Sequence, residues 1–198
     1  MKPLTDLADE GLLPLVASGN EEAFTLLYQR RQGSIYRFAL QMSGSSSVAE
    51  DVTQDVFLAL LRDAGRYDAA RAPLASYLYG IARRFVWRRM AQSRSYLPLA
   101  GEEDEGTRTP ECLIGRPEVE RDLVRDEAVR SLRRAILALP AGYREAVVLC
   151  DLHELSYADA ARVLGCALGT VRSRLHRARA LLSERLAVAK SSSSGCLV

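Results

Sequence analysis

Histidine is nearly missing from this chain, which holds only His153 and His176. Cysteine is scarce and scattered, at Cys112, Cys150, Cys166 and Cys196, with no Cys-x-x-Cys pair. Few ligands are therefore left for a zinc site. Cys150, His153, Cys166 and His176 form the one conceivable set, and its spacing matches no finger or ribbon. The alternative for Cys150 and Cys166 is that of small buried hydrophobes. A disulfide framework is not expected either, because 48% of the residues are apolar and can build a core without staples. Neither a metal nor another cofactor is expected.

Long hydrophobic runs are absent too. None reaches the roughly 18–20 residues that span a bilayer, so no membrane insertion is expected. Asp6, Asp9 and Glu10 stand where a secretion signal would need its apolar core, which points to a cytoplasmic protein. Nor is there an excess of one charge. The 27 Lys and Arg nearly balance the 25 Asp and Glu, so information about partners must come from how charge is distributed.

Strand-type alternation and Asn-Gly or Asp-Gly turns are lacking, which excludes most β architectures. What remains is helical periodicity, and the expected fold is all-α. A short helix is expected over residues 6–18, although Pro14 argues against it. Asn20 reads as the N-cap of a helix whose first turn carries Glu21 and Glu22. Phe24, Leu27, Tyr28, Ile35, Phe38 and Met42 fall on its inner face. Ser47 reads as the next cap, before a stripe of Val48, Val52, Val56 and Leu60. A loop over 64–73 leads to a fourth helix with Leu74, Leu78, Ile81 and Phe85 inward.

Composition changes after Ser95. Residues 96–118 carry Pro98, Pro110 and Pro117, several glycines and the acidic run Glu102–Glu105. This stretch reads as a flexible linker between two small helical domains, 1–95 and 119–189, with a Ser-rich tail over 190–198. In the second domain Val129, Leu132, Ile136 and Leu139 form a stripe. Pro140 occupies a first-turn position of the next helix, with Tyr143, Ala146, Val147 and Cys150 on one side.

Near the C-terminus, Ser156 and Asp159 resemble a capping box. A short helix runs to Leu164, Gly165 ends it, and Thr170-Val171 opens a longer one. That is the sequence form of a helix-turn-helix. At about 100° per residue, Val171, Leu175, Ala178 and Leu182 face inward. Arg172, Ser173, His176 and Arg177 do not. Residues 171–179 hold four arginines and no acid. Arginine pairs with the guanine edge in two-pronged fashion, and Ser or His adds adaptable hydrogen bonds, so this face suits a DNA major groove.

Two other outer faces stand out. On the helix after Ser47, Asp51, Gln54, Asp55 and Leu58 lie at i, i+3, i+4 and i+7, which suggests a protein-docking surface. On the fourth helix, residues 83–94 carry five arginines and no acid. Arg83, Arg84, Arg88 and Arg89 around Trp87 suit a phosphate backbone with unstacked bases, or Trp87 is a partly buried anchor. The preceding loop offers Tyr67 and Arg71, and Tyr67 could equally be a core aromatic that holds the loop.

The strings AEDVTQDVFLALL (Ala49–Leu61), SYLYGIARR (Ser76–Arg84) and LSYADAARVLGCALGTVRSRLHRARALL (Leu155–Leu182) resemble a bacterial RNA polymerase sigma factor of the extracytoplasmic-function (ECF) group. The likeness spans residues 6–95 and 119–187. It implies a non-enzymatic initiation factor whose partners are core RNA polymerase (the clamp of its largest subunit and its flap), double- and single-stranded promoter DNA, and an anti-sigma factor. It assigns Asp51, Gln54, Asp55 and Leu58 to polymerase docking. Tyr67, Arg71, Arg83, Arg84, Trp87, Arg88 and Arg89 fall to the minus-ten element, and Arg172, Ser173, His176 and Arg177 to the minus-35 element. Tyr77 stands where the family usually has tryptophan, and Gly80 where it has arginine. Two other readings compete. One is a stand-alone helix-turn-helix regulator that binds DNA without polymerase. The other is a helical metalloenzyme built on Cys150 and His153, which no paired-carboxylate or HExxH motif supports.

Overall fold

The computed structural model describes residues 3–95 and 119–194, and these hold helices and connecting turns but no strand. The chain is all-α. After a 3-10 turn at Leu4–Asp6 come α1 (Asp9–Ala17), α2 (Glu21–Ser43), α3 (Ser46–Asp63) and α4 (Leu74–Ser95). The C-terminal helices are α5 (Val119–Leu137), α6 (Ala141–Val147), α7 (Tyr157–Leu164) and α8 (Leu168–Ser194), with a π-helical turn at Val148–Leu152. The expected linker, with Cys112, lies outside the described residues, as does Cys196. The Ser-rich segment is helical as far as Ser194, because α8 continues into it.

Local chemistry explains most boundaries. The Asn20 side chain accepts a 2.8 Å hydrogen bond from the Ala23 amide and opens α2. Gly44 closes α2 at φ 77°, a left-handed conformation that suits glycine. The cap of α3 is Ser45 rather than Ser47, two residues earlier than its sequence suggested. Pro140 is the N-cap residue of α6, one position before the first turn. Pro14 lies inside α1, and Leu12, Leu13 and Val16 around it are buried.

Helices α1–α4 wrap around Leu12, Leu27, Ile35, Phe38, Met42, Val52, Val56, Leu60, Leu74 and Leu78, all of them almost completely buried. Asp9 is buried beneath them and paired with both Arg30 and Arg31, which ties the N-terminal segment to α2. The C-terminal helices gather Val148, Leu149, Val171, Leu175 and Ala178. Val129 and Leu132, whose spacing predicts a place in that core, are exposed; only Ile136 and Leu139 of their stripe are buried.

The two sets of helices are in contact. α4 packs on α7, and α2 packs on α5 and on the π-helical turn. Their apolar residues form one continuous cluster. Arg144 reaches across to donate a 2.7 Å hydrogen bond to the Met42 carbonyl.

Candidate nucleic-acid interface

The helix-turn-helix forms as its sequence demands. The Ser156 hydroxyl accepts a 3.1 Å hydrogen bond from the Asp159 amide at the start of α7. Gly165 turns the chain at φ 64° into α8. Val171, Leu175 and Ala178 are buried, which fixes the rotation of α8. Arg172, Ser173, His176 and Arg177 are consequently all exposed on the opposite side. Among the described residues, neither Arg172 nor Arg177 has an ion-pair partner. Arg179, by contrast, is held by Asp151 through bonds of 3.0 and 2.6 Å. This pairing raises its already high pKa. Arg174 lies against Gly142. Only part of the arginine-rich stretch is therefore free to meet a ligand.

On α3, Gln54 is exposed and Leu58 is 56% exposed, the most exposed large apolar side chain among the described residues. The two acids of that face are engaged. Arg89 Nη1 lies 2.6 Å from Asp51 Oδ2, and its Nη2 lies 2.9 Å from Asp55 Oδ2. Arg88 adds a weaker pair with Asp55 at 3.6 Å and stacks its guanidinium 4.6 Å above the Phe85 ring. Arg89 is thus held as a brace between α3 and α4. The two helix faces share a border that the local period of neither helix reveals.

α4 divides its remaining cations in two. Arg84 and Arg88 are exposed. Arg83 and Trp87 instead converge on Glu145 of α6, whose carboxylate is almost entirely buried. Arg83 Nε lies 2.5 Å and Trp87 Nε1 lies 2.7 Å from the same oxygen, Glu145 Oε1. Of the two readings of Trp87, the partly buried anchor describes its place here.

In the 64–73 loop the Tyr67 hydroxyl donates a 2.9 Å hydrogen bond to the Ala72 carbonyl, and its ring meets Tyr77 edge-on at 5.4 Å. Burial raises its pKa. Tyr67 is therefore the aromatic that holds the loop, and a minus-ten contact by its ring requires that these contacts be given up. Arg71 is highly exposed and only loosely paired with Asp68 at 3.5 Å.

His153 is no ligand. Its Nδ1 lies 2.8 Å from the Tyr79 hydroxyl, and its Nε2 lies 2.9 Å from Gln41 Oε1. Since an amide oxygen only accepts, Nε2 carries the proton and Nδ1 accepts from Tyr79. Burial, aided by Arg37, lowers the pKa of His153 to about 4. The Cys150 thiol is pushed up to about 11, chiefly by burial. Cys150 and Cys166 are half-buried and free, and His176 is exposed on α8. No group of side chains suited to a metal occurs among the described residues.

Sequence reasoning missed Glu145, Tyr79 and Gln41, and weighed His153 only as a metal ligand. One signal was present. Glu145 lies at i−3 and i−4 from Val148 and Leu149, so an acid sits on an apolar stripe and needs a buried partner.

A helix-turn-helix with a free basic face, beside a helical unit bearing a second basic helix, defines a DNA-binding transcription protein. Two family models match the chain: Sigma-70 region 2 over residues 27–96 and Sigma-70, region 4 over residues 130–182. The chain belongs to the sigma-70 family of RNA polymerase sigma factors, in the ECF group. It is 35% identical to the ECF RNA polymerase sigma factor SigM of Mycobacterium tuberculosis over 181 residues, covering 90% of this chain and 85% of that one. It is 30% identical to the RNA polymerase sigma-H factor of Pseudomonas aeruginosa, covering 92% and 96%. Among solved structures it is similar to CnrH in complex with the cytosolic domain of CnrY, with a TM-score of 0.66, 26% identity and coverage of 92% and 99%. The chain is thus a sigma factor that binds core RNA polymerase and directs transcription initiation at promoters. No helix among the described residues is long and apolar enough to cross a membrane.

Proposed function

We propose that residues 1–95 and 119–189 act as the polymerase-docking and upstream-reading domains of this sigma factor. The acidic segment 96–118 joins them, and residues 190–198 form a tail. The observation that carries the proposal is the partition of α8: four side chains suited to base edges are exposed while the apolar stripe beneath them is buried. Arg172, Ser173, His176 and Arg177 read the minus-35 element in the major groove. On α3, Leu58 and Gln54 form the centre of the polymerase contact. Asp51 and Asp55 flank them as charges whose positions Arg89 sets.

The minus-ten element meets α4 through Arg84 and Arg88, which are already exposed, and through Arg83 and Trp87 once they leave Glu145. Tyr67 and Arg71 border the melted strand. The protein works in the cytoplasm as a regulator without catalytic chemistry of its own. An anti-sigma factor controls it, a reading supported by the likeness to CnrH, whose solved structure holds the cytosolic domain of CnrY. Transcription with purified core polymerase tests the scheme. Substitutions on α8 should lower initiation only on templates with an intact upstream element. Equal losses on templates with and without it would overturn the assignment.

A further inference from the structure

The junction between α4 and α6 has a composition that a simple packing contact does not need. Two different N–H donors, from Arg83 and Trp87, aim at one oxygen of Glu145. Arg83 Nη2 lies 3.4 Å from the other oxygen, Oε2. A guanidinium and an indole N–H converging on one anionic oxygen also fit a phosphodiester, since carboxylate and phosphate present similar acceptors to arginine. The residues around this junction continue the theme. A cleft of about 320 Å³ adjoins it, with Arg83, Arg84 and Arg162 on its walls beside Ser76, Tyr77 and Gly80. Of these three arginines, Arg83 is paired with Glu145 and Arg162 with Asp159, while Arg84 has no ion-pair partner among the described residues.

We propose that Arg83 and Trp87 form a clamp for a single backbone phosphate of the promoter strand, and that Glu145 occupies this clamp as an intramolecular phosphate mimic. The inference rests on the reading of α4 as the minus-ten face. The clamp holds either the DNA or α6, so the strand enters only when the C-terminal helices swing off. Three contacts outside the clamp hold them down: the Tyr79–His153 hydrogen bond, the His153–Gln41 hydrogen bond and the bond from Arg144 to the Met42 carbonyl. The free chain is therefore self-blocked. Its apparent affinity for single-stranded promoter DNA equals that of the open form multiplied by the fraction open.

Two variants separate the mimic from the latch. Glu145→Gln keeps the shape of the side chain but removes its charge, so the clamp is occupied more weakly. Tyr79→Phe loosens the seam without touching the clamp. The probe is a labelled non-template oligonucleotide carrying a minus-ten element, with wild-type holoenzyme as the positive control. Both variants of the free chain should bind the probe about tenfold more tightly than wild type, and small-angle scattering should give them larger radii of gyration. A neutral methylphosphonate at one linkage should abolish the gain.

Unchanged affinity and unchanged radius in both variants would overturn the proposal. So would a gain in affinity that no single methylphosphonate removes, because the clamp would then not hold a phosphate. If wild-type holoenzyme itself fails to bind the probe, the minus-ten reading of α4 falls, and the clamp falls with it.

Discussion

The Tyr79 hydroxyl donates a 2.8 Å hydrogen bond to His153 Nδ1 across the seam between the N- and C-terminal helices. The His153 ring also meets Phe38 edge-on at 5.9 Å. Burial favours the neutral imidazole, whose Nδ1 accepts from the tyrosine.

The consequence is a pH dependence of definite sign. A pKa lowered from 6.5 to about 4 means that the open or unfolded chain takes up the proton first. The contribution of His153 is complete above pH 6.5 and is lost progressively as pH falls toward 4. Arg37, already positive and nearby, acts in the same direction. Thermal melting of wild type and His153→Gln at about pH 7 and about pH 5 checks this. Wild type should lose more stability on acidification than the variant, since carboxylate titration is common to both. An equal loss would show that the histidine does not titrate in this range.

Gly44 should not tolerate a side chain. Its φ of 77° is left-handed, and a Cβ there would lie 3.0 Å from Leu137 Cδ1 of α5. Gly44→Ala should destabilise by about 1 kcal/mol or more from the backbone alone, and it should loosen α2 from α5. Chemical denaturation measures the loss. A variant as stable as wild type would contradict both the backbone strain at this position and the contact with Leu137.

For polymerase docking, Leu58 is a cleaner probe than Asp55. Substituting Asp55 breaks its bond to Arg89 and disturbs the junction of α3 with α4. Leu58 is largely exposed, so Leu58→Glu should leave the melting temperature nearly unchanged while core polymerase capture falls by at least tenfold, the usual scale for losing a central apolar contact of an interface. Normal capture by the folded variant would remove Leu58 from the docking surface.

Arg177 has no ion-pair partner among the described residues, and its loss should cost the fold little. Arg177→Ala should weaken recognition of particular upstream bases by roughly 1–3 kcal/mol. Competition between native and base-substituted upstream duplexes on the holoenzyme is the measurement. A loss that is the same on every duplex would reassign Arg177 to the phosphate backbone.

The helix faces were legible because burial within a helix follows a local period. Val52, Val56 and Leu60 were assigned inward and are fully buried, and Val171 and Leu175 likewise. The α8 surface could be read by the same logic. Contacts between helices distant in sequence have no such period. The ion pairs of Arg89 were hidden because its partners, Asp51 and Asp55, stand more than thirty residues earlier. Trp87 and Arg83 looked free because Glu145 lies beyond the linker. The caps erred by a residue or two where neighbouring residues compete, as with Ser45 and Ser47. Tyr67 was ambiguous for a different reason: an aromatic before a short loop can pack or project, and only the carbonyl of Ala72 decides it.

Run-off transcription by core RNA polymerase, with and without this chain, on DNA from upstream of its own gene tests the central claim most directly. The account predicts a discrete transcript that requires both proteins and disappears when the upstream element is scrambled. Sequence-specific DNA binding by the chain alone, with no transcript when core polymerase is added, would contradict it and point to a stand-alone regulator.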